Sequence, residues 1–128
     1  MKKMALFFVV VFVFVLLPVW ASAAIVEGSV QGYGCVVKGT VCPIGKEDPH
    51  VAVERVFVVL TGDKDYYFVP NVDRATLARH VNEMVRITGK LSSKYKSIEA
   101  ETIDVMHKGS WKQTWSAEEE RYLKYGRP

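Results

Sequence analysis

VRITGKLSSKYKSIEAETIDV, residues 85–105, decides how the rest of this chain is read. Val85, Ile87 and Leu91 share one parity while Arg86, Thr88 and Lys90 take the other, the period-two signature of a strand with one buried face. Gly89 interrupts the apolar row, and a glycine inside a strand marks a bend, a bulge or a close backbone approach. Ser92 to Ser97 turns the chain. Ile98 and Ala100 then open a second apolar row, which changes phase because Ile103 and Val105 have the opposite parity. A bulge near Thr102 accounts for that change, so the stretch reads as a curved antiparallel hairpin.

Upstream, a first strand is expected from Val26 to about Val37, bent by Gly28, Gly32 and Gly34, with Val26 and Val30 pointing inward. Gly39 to His50 is a loop, punctuated by Pro43, Gly45 and Pro49. A long apolar strand follows from about Val51 to Thr61, and the unbroken run Val56 to Leu60 predicts cover on both faces. Gly62 to Asp65 supplies a hairpin turn, and Tyr66 to Val69 returns as an aromatic strand that Pro70 ends. Asp73 is a good N-cap, with Val72 and Leu77 spaced as a hydrophobic staple. Leu77, Val81 and Met84 continue one helical face, and the helix gives out near Asn82. Past Val105, Trp111, Trp115, Tyr122 and Tyr125 crowd into a charged tail. There Ser116 and Glu119 form a capping box for a last helix from about Ala117 to Tyr125.

Three strands, a helix, two strands and an appended helix give a mainly β fold class: a five-stranded OB-fold-like Greek-key barrel, with one short helix between strands 3 and 4 and a C-terminal helix. The run Leu77 to Leu91, LARHVNEMVRITGKL, resembles the passage from helix to fourth strand in secreted bacterial OB-fold proteins. The resemblance covers roughly residues 26–106 and implies barrel geometry, not a reaction.

The chain has 128 residues. Lys2 and Lys3, the apolar run Met4 to Leu17 and the small-residue step Ala21-Ser22-Ala23 have the form of a signal peptide over 1–23, with cleavage after Ala23. An uncleaved anchor is the competing reading, since no charge occurs from Met4 to Val26. The expected division is then a barrel over 24–108 and an aromatic tail over 109–128. The 17 basic residues include Lys2 and Lys3, so 15 remain against 14 acidic ones. Such a balance supplies no overall field for nucleic acid, and the expected location is periplasmic or secreted, with no membrane span once the leader is gone.

Export puts Cys35 and Cys42 in an oxidising compartment, where a disulfide closing a tight loop is expected, worth about 2.5 kcal/mol if unstrained. The alternative is a redox or metal dithiol with His50 as third ligand, although the spacing matches neither CxxC nor a zinc knuckle. His80 falls on the expected solvated side of the helix. His107 follows the last strand, and its placement resembles the haem-attaching histidine of the periplasmic haem chaperone of cytochrome c maturation. Trp111 stands where that family's His-Asp-Glu-Asn-Tyr motif has tyrosine, and the acidic and amide residues between are missing. Tyr66, Tyr67 and Phe68 lie on a strand pair that OB-folds use for binding, and alternation assigns half of them to the core. The other half, with Arg86, Lys90, Lys94 and Lys96, forms a candidate groove for a small anionic or saccharide ligand. Trp111 and Trp115 either pack back over Val56 to Leu60 or bind a partner protein of the envelope.

No GxSxG elbow, HExxH or glycine-rich phosphate loop occurs, and scattered carboxylates such as Asp48 and Asp63 are not paired by the sequence. These observations point to a non-enzymatic binding or accessory module of the cell envelope, without a cofactor. The alternative is haem or copper handling through His107, or through Cys35, Cys42 and His50.

Overall fold

The structure is a computed structural model that describes residues 23–40, 49–62 and 64–127. The expected leader lies outside these residues apart from Ala23, as do Cys42, Asp48 and Asp63, and the side chain of His50 is likewise outside the description. Among the described residues no helix is long and apolar enough to cross a membrane.

Among the described residues six strands form one sheet: β1 (Ala24–Gly32), β2 (Phe57–Leu60), β3 (Tyr66–Phe68), β4 (Met84–Ser92), β5 (Ser97–His107) and β6 (Ser110–Ser116). Their order is β3-β2-β1-β4-β5-β6, with antiparallel neighbours throughout. β3 also meets β5 in a parallel pairing, Phe68 with Ser97. β1, β2, β3, β5 and β4 thus form a ring of five, and β6 hangs on β5 outside it.

The 85–105 stretch forms the expected hairpin. Thr88 pairs with Thr102 and Gly89 with Ala100, so Glu101 is the extra residue of a bulge. This slip lets Ile98, Ala100, Ile103 and Val105 all face inward despite their change of parity. Gly89 is a close approach: a Cβ there would lie 2.0 Å from the Glu99 carbonyl oxygen. Gly28 does the same on β1, where a Cβ would lie 2.2 Å from the Leu60 carbonyl oxygen. The inward row of β4 ends at Gly89, and Leu91 is exposed rather than buried.

β1 stops at Gly32, short of the expected Val37. The next residues form the helical turn α1 (Tyr33–Val37). The Glu54 carboxylate accepts the Gly34 N–H at 3.0 Å, and the Val56 carbonyl accepts the Tyr33 N–H at 2.9 Å, giving these donors partners other than a sheet neighbour. The expected strand from Val51 likewise begins only at Phe57, after a second turn, α2 (Pro49–Val53). Pro49 suits the start of a helix, where its missing N–H costs nothing. Arg74 satisfies the other end, donating to the carbonyls of Val51, Ala52 and Glu54 at 2.7, 3.0 and 2.7 Å. Within β2 both faces are covered from Phe57 to Val59, as the apolar run predicts, but Val56, at the start of that run, lies before the strand and is 41% exposed. Phe57 and Val59 join the core, while Val58 is 1% exposed on the opposite face, beside its cross-strand neighbours Gln31 and Phe68.

The helix between β3 and β4 is α3 (Arg74–Ala78), a single turn that ends before Asn82. Asp73 caps it, accepting the Thr76 N–H at 2.9 Å and the Thr76 hydroxyl at 3.0 Å. Val72 and Leu77 are both buried, consistent with the staple. Met84 does not share that helical face: it opens β4 and is half exposed. After β5, Lys108 and Gly109 both adopt positive φ in the two-residue turn to β6, the mirror-image turn that matches strand twist. Ser116 then caps α4 (Ala117–Tyr125), its hydroxyl accepting the Glu119 N–H at 3.2 Å.

Two consequences can be measured. Gly89→Ala forces backbones apart and is expected to cost about 3 kcal/mol in urea unfolding, whereas Gly109→Ala, with open space around it, loses only the ease of positive φ and costs about 1 kcal/mol. Asp73→Ala is expected to cost about 1 kcal/mol at neutral pH. Hydrogen bonding from the Thr76 N–H holds the Asp73 carboxyl below its ordinary value, so this contribution is complete above the unfolded-state pKa. It is lost as pH falls through the lower folded-state value, so the difference between wild type and variant should narrow in acid.

Candidate ligand-binding face

Alternation along β3 sends Tyr67 to the core and turns Tyr66 and Phe68 outward. Outside, they meet Tyr33, which the helical turn α1 brings over the same face. The ring centroids are 5.8 Å apart for Tyr33 and Tyr66, 5.4 Å for Tyr33 and Phe68, and 5.7 Å for Tyr66 and Phe68. All three are half-buried, so each retains exposed edge or face. Two of the contacts are edge-on, the arrangement favoured by aromatic quadrupoles.

The rim of this face is charged. Lys96, in the loop between β4 and β5, lies 4.9 Å from the Tyr66 ring centroid and forms an ion pair with Asp65. Asp65 is held by the β2–β3 connection, where its carbonyl accepts from the Thr61 N–H at 2.8 Å and the Thr61 hydroxyl at 2.9 Å. The Asp65 carboxylate raises the Lys96 ammonium above its ordinary pKa, chiefly by hydrogen bonding, so Lys96 remains cationic throughout the neutral range. In the same loop Tyr95 is 66% exposed, with the Lys94 ammonium 5.0 Å from its ring centroid. The face therefore offers aromatic surface, a fixed cation and a carboxylate within one span of side chains. Tyr33 and Tyr95 had no sequence signal as site residues, since neither lies in a motif and each reaches β3 only through tertiary structure, Tyr33 by the turn α1 and Tyr95 by the pairing of β3 with β5.

The remaining expected groove residues are not gathered here. Arg86 lies on the outer face of β4, bonded to Glu27 at 2.7 Å and stacked 4.2 Å from the Trp111 ring centroid. Lys90 lines a separate open concavity of about 560 Å³ with Asn71, Glu99, Trp115 and Lys124. The two tryptophans belong to β6 and lie beside β5, not over β2. Trp115 packs against the core and donates its indole N–H to Glu120 at 2.8 Å. Trp111 stays on the outer side under Arg86.

His80 is not on a solvated side. Its ring is 15% exposed, with Nδ1 2.7 Å from the Glu83 carboxylate and Nε2 3.4 Å from the Thr114 hydroxyl, tying the end of α3 to β6. His107 occupies the β5–β6 hairpin, exposed. Cys35 is half-buried on α1 with no disulfide among the described residues, and its expected partner Cys42 lies outside them. Among the described residues no three His, Cys, Asp or Glu side chains converge as a metal site.

Comparison with protein-family models, curated proteins and solved structures returned no match.

The different environments of the tryptophans make a direct test. Trp115→Ala is expected to cost about 3 to 4 kcal/mol in denaturant unfolding through loss of core packing. Trp111→Ala, which removes an outer cation–π stack, should cost about 1 kcal/mol.

Proposed function

We propose that the chain is an exported, OB-fold-like barrel of the cell envelope, periplasmic or secreted, that works by binding and not by catalysis. Its ligand is a small anionic saccharide held on the outer face of β2 and β3. The observation that carries this reading is the half-exposed trio Tyr33, Tyr66 and Phe68 beside the Lys96–Asp65 pair. In OB-folds the face of strands 2 and 3, with the loops joining strands 1 to 2 and 4 to 5, is the usual binding surface. Tyr33 follows strand 1, and Lys94 to Lys96 join strands 4 and 5. The ring order β1-β2-β3-β5-β4, with α3 between β3 and β4, supports the OB-fold-like reading itself.

The chemistry suits a sugar. Aromatic rings accept the apolar C–H face of a pyranose, the Lys96 ammonium attracts a carboxylate or phosphate, and the Asp65 carboxylate accepts from a hydroxyl. A nearly balanced net charge leaves no long-range field for a large polyanion, which favours a short ligand recognised locally.

Calorimetric titration of the exported chain with oligogalacturonate as the anionic probe, and chito-oligosaccharide as the neutral one, tests the proposal. Saturable binding of the anionic probe is expected, weakened roughly ten-fold or more, the equivalent of about 1.4 kcal/mol, by Tyr66→Ala or Phe68→Ala. Lys96→Ala should weaken the anionic probe and leave the neutral one unchanged. Absence of saturable heat with both probes, or binding indifferent to both aromatic substitutions, would refute it.

A further inference from the structure

The C-terminal helix is docked with its polar side toward the sheet. Ala117, Glu120 and Lys124 line the concavity between α4 and the β4–β5 hairpin, and Glu120 is anchored there by the Trp115 indole. Glu120 and Lys124 also bond each other at 2.9 Å. Two apolar side chains face away, Tyr122 at 47% exposed and Leu123 at 77%, while Tyr125, 83% exposed, stands at the rim of the concavity, and no residue of the helix is buried. A helix this short is marginal in water unless an apolar face is covered, and here the more apolar side is the uncovered one.

Its charges are sorted along the axis. Glu118 and Glu119 occupy the first turn and have no ion-pair partner among the described residues. Lys124 stands in the last turn, and Arg127 follows, stacked 5.8 Å from the Tyr122 ring centroid. Turned end for end, this pattern is complementary to itself. We propose that α4 is a self-association surface, on which a second copy of this chain packs its own α4 antiparallel about a two-fold axis near Tyr122. Tyr122 and Leu123 then cover their counterparts, and Glu118 of each copy meets Arg127 of the other. Such a contact is isologous, as two-fold interfaces must be. A helix of nine residues buries less than the roughly 800 Å² per partner of standard stable complexes, so the dimer is weak and salt-sensitive. The surface uses none of the residues of the proposed ligand face, and the two readings stand or fall separately.

Sedimentation velocity of the full exported chain, from micromolar to submillimolar concentration, reads this directly. The weight-average mass is expected to rise toward that of a dimer at low salt and to fall back at high salt. Leu123→Glu, at a position already exposed, should abolish the rise while leaving the circular dichroism unchanged. Glu118→Lys and Arg127→Glu should each weaken association several-fold, and the double exchange should restore it. A monomer at every concentration overturns the proposal, as does a dimer insensitive to Leu123→Glu. Co-sedimentation of a monomeric chain with anionic phospholipid vesicles, lost in Leu123→Glu, overturns it in favour of a lipid surface.

Discussion

The fold depends on one seam, where β3 must meet β5. The two strands share little ladder: the Phe68 N–H donates to the Lys96 carbonyl at 2.8 Å, and Pro70, two residues on, has no N–H to give. Asn71 takes over. Its side-chain amide donates to the Ala100 carbonyl at 2.7 Å and accepts the Ala100 N–H at 2.8 Å, so one side chain reproduces the two bonds a strand residue would make. Without it the Ala100 backbone, in a residue only 2% exposed, would lose both of these partners. Val69 and Val72 flank this point and bury against the same core as Ile98 and Ala100.

Closing the ring at this seam also builds the outer face. Phe68 is bonded to the loop that carries Lys96, and Lys96 returns to Asp65 and Tyr66, so the aromatic strand and the basic loop are held at fixed separation. On the other side, Glu54 and Arg74 tie the turns before β2 to α1 and α3, which holds Tyr33 over Tyr66 and Phe68. Stability and the candidate binding surface therefore share residues. Recognition built on strands and pinned turns is better preorganised than recognition built on free loops.

What the sequence disclosed was local. The parity change between Ala100 and Ile103 located the bulge to within a residue of Glu101, and Asp73 and Ser116 announced their helices because a cap is a bond between near neighbours. The split of Tyr67 from Tyr66 and Phe68 followed from alternation alone. What stayed hidden depended on distant partners. Val51 to Val53 have strand-like composition but become a helical turn, because Arg74 of another element donates to the carbonyls of Val51, Ala52 and Glu54. β6 was concealed because its own bulge at Thr114 breaks the alternation and most of its other side chains are exposed and polar. Asn71 carries no signal in sequence, since its role is defined entirely by Ala100.

The bulged strand β5 has a temporal meaning as well. It borders β4, β6 and β3 at once, and it lies in the last third of the chain. A polypeptide delivered from its N-terminus has β1, β2, β3 and β4 available long before residues near position 105 arrive, yet those four leave an open, half-covered sheet with two unsatisfied edges. Pairings of such long sequence separation carry a loop-closure cost before their contacts reward it, which slows folding. With β5 followed only by β6 and α4, the element that closes the ring is among the last to be made, and the core cannot be completed before it arrives.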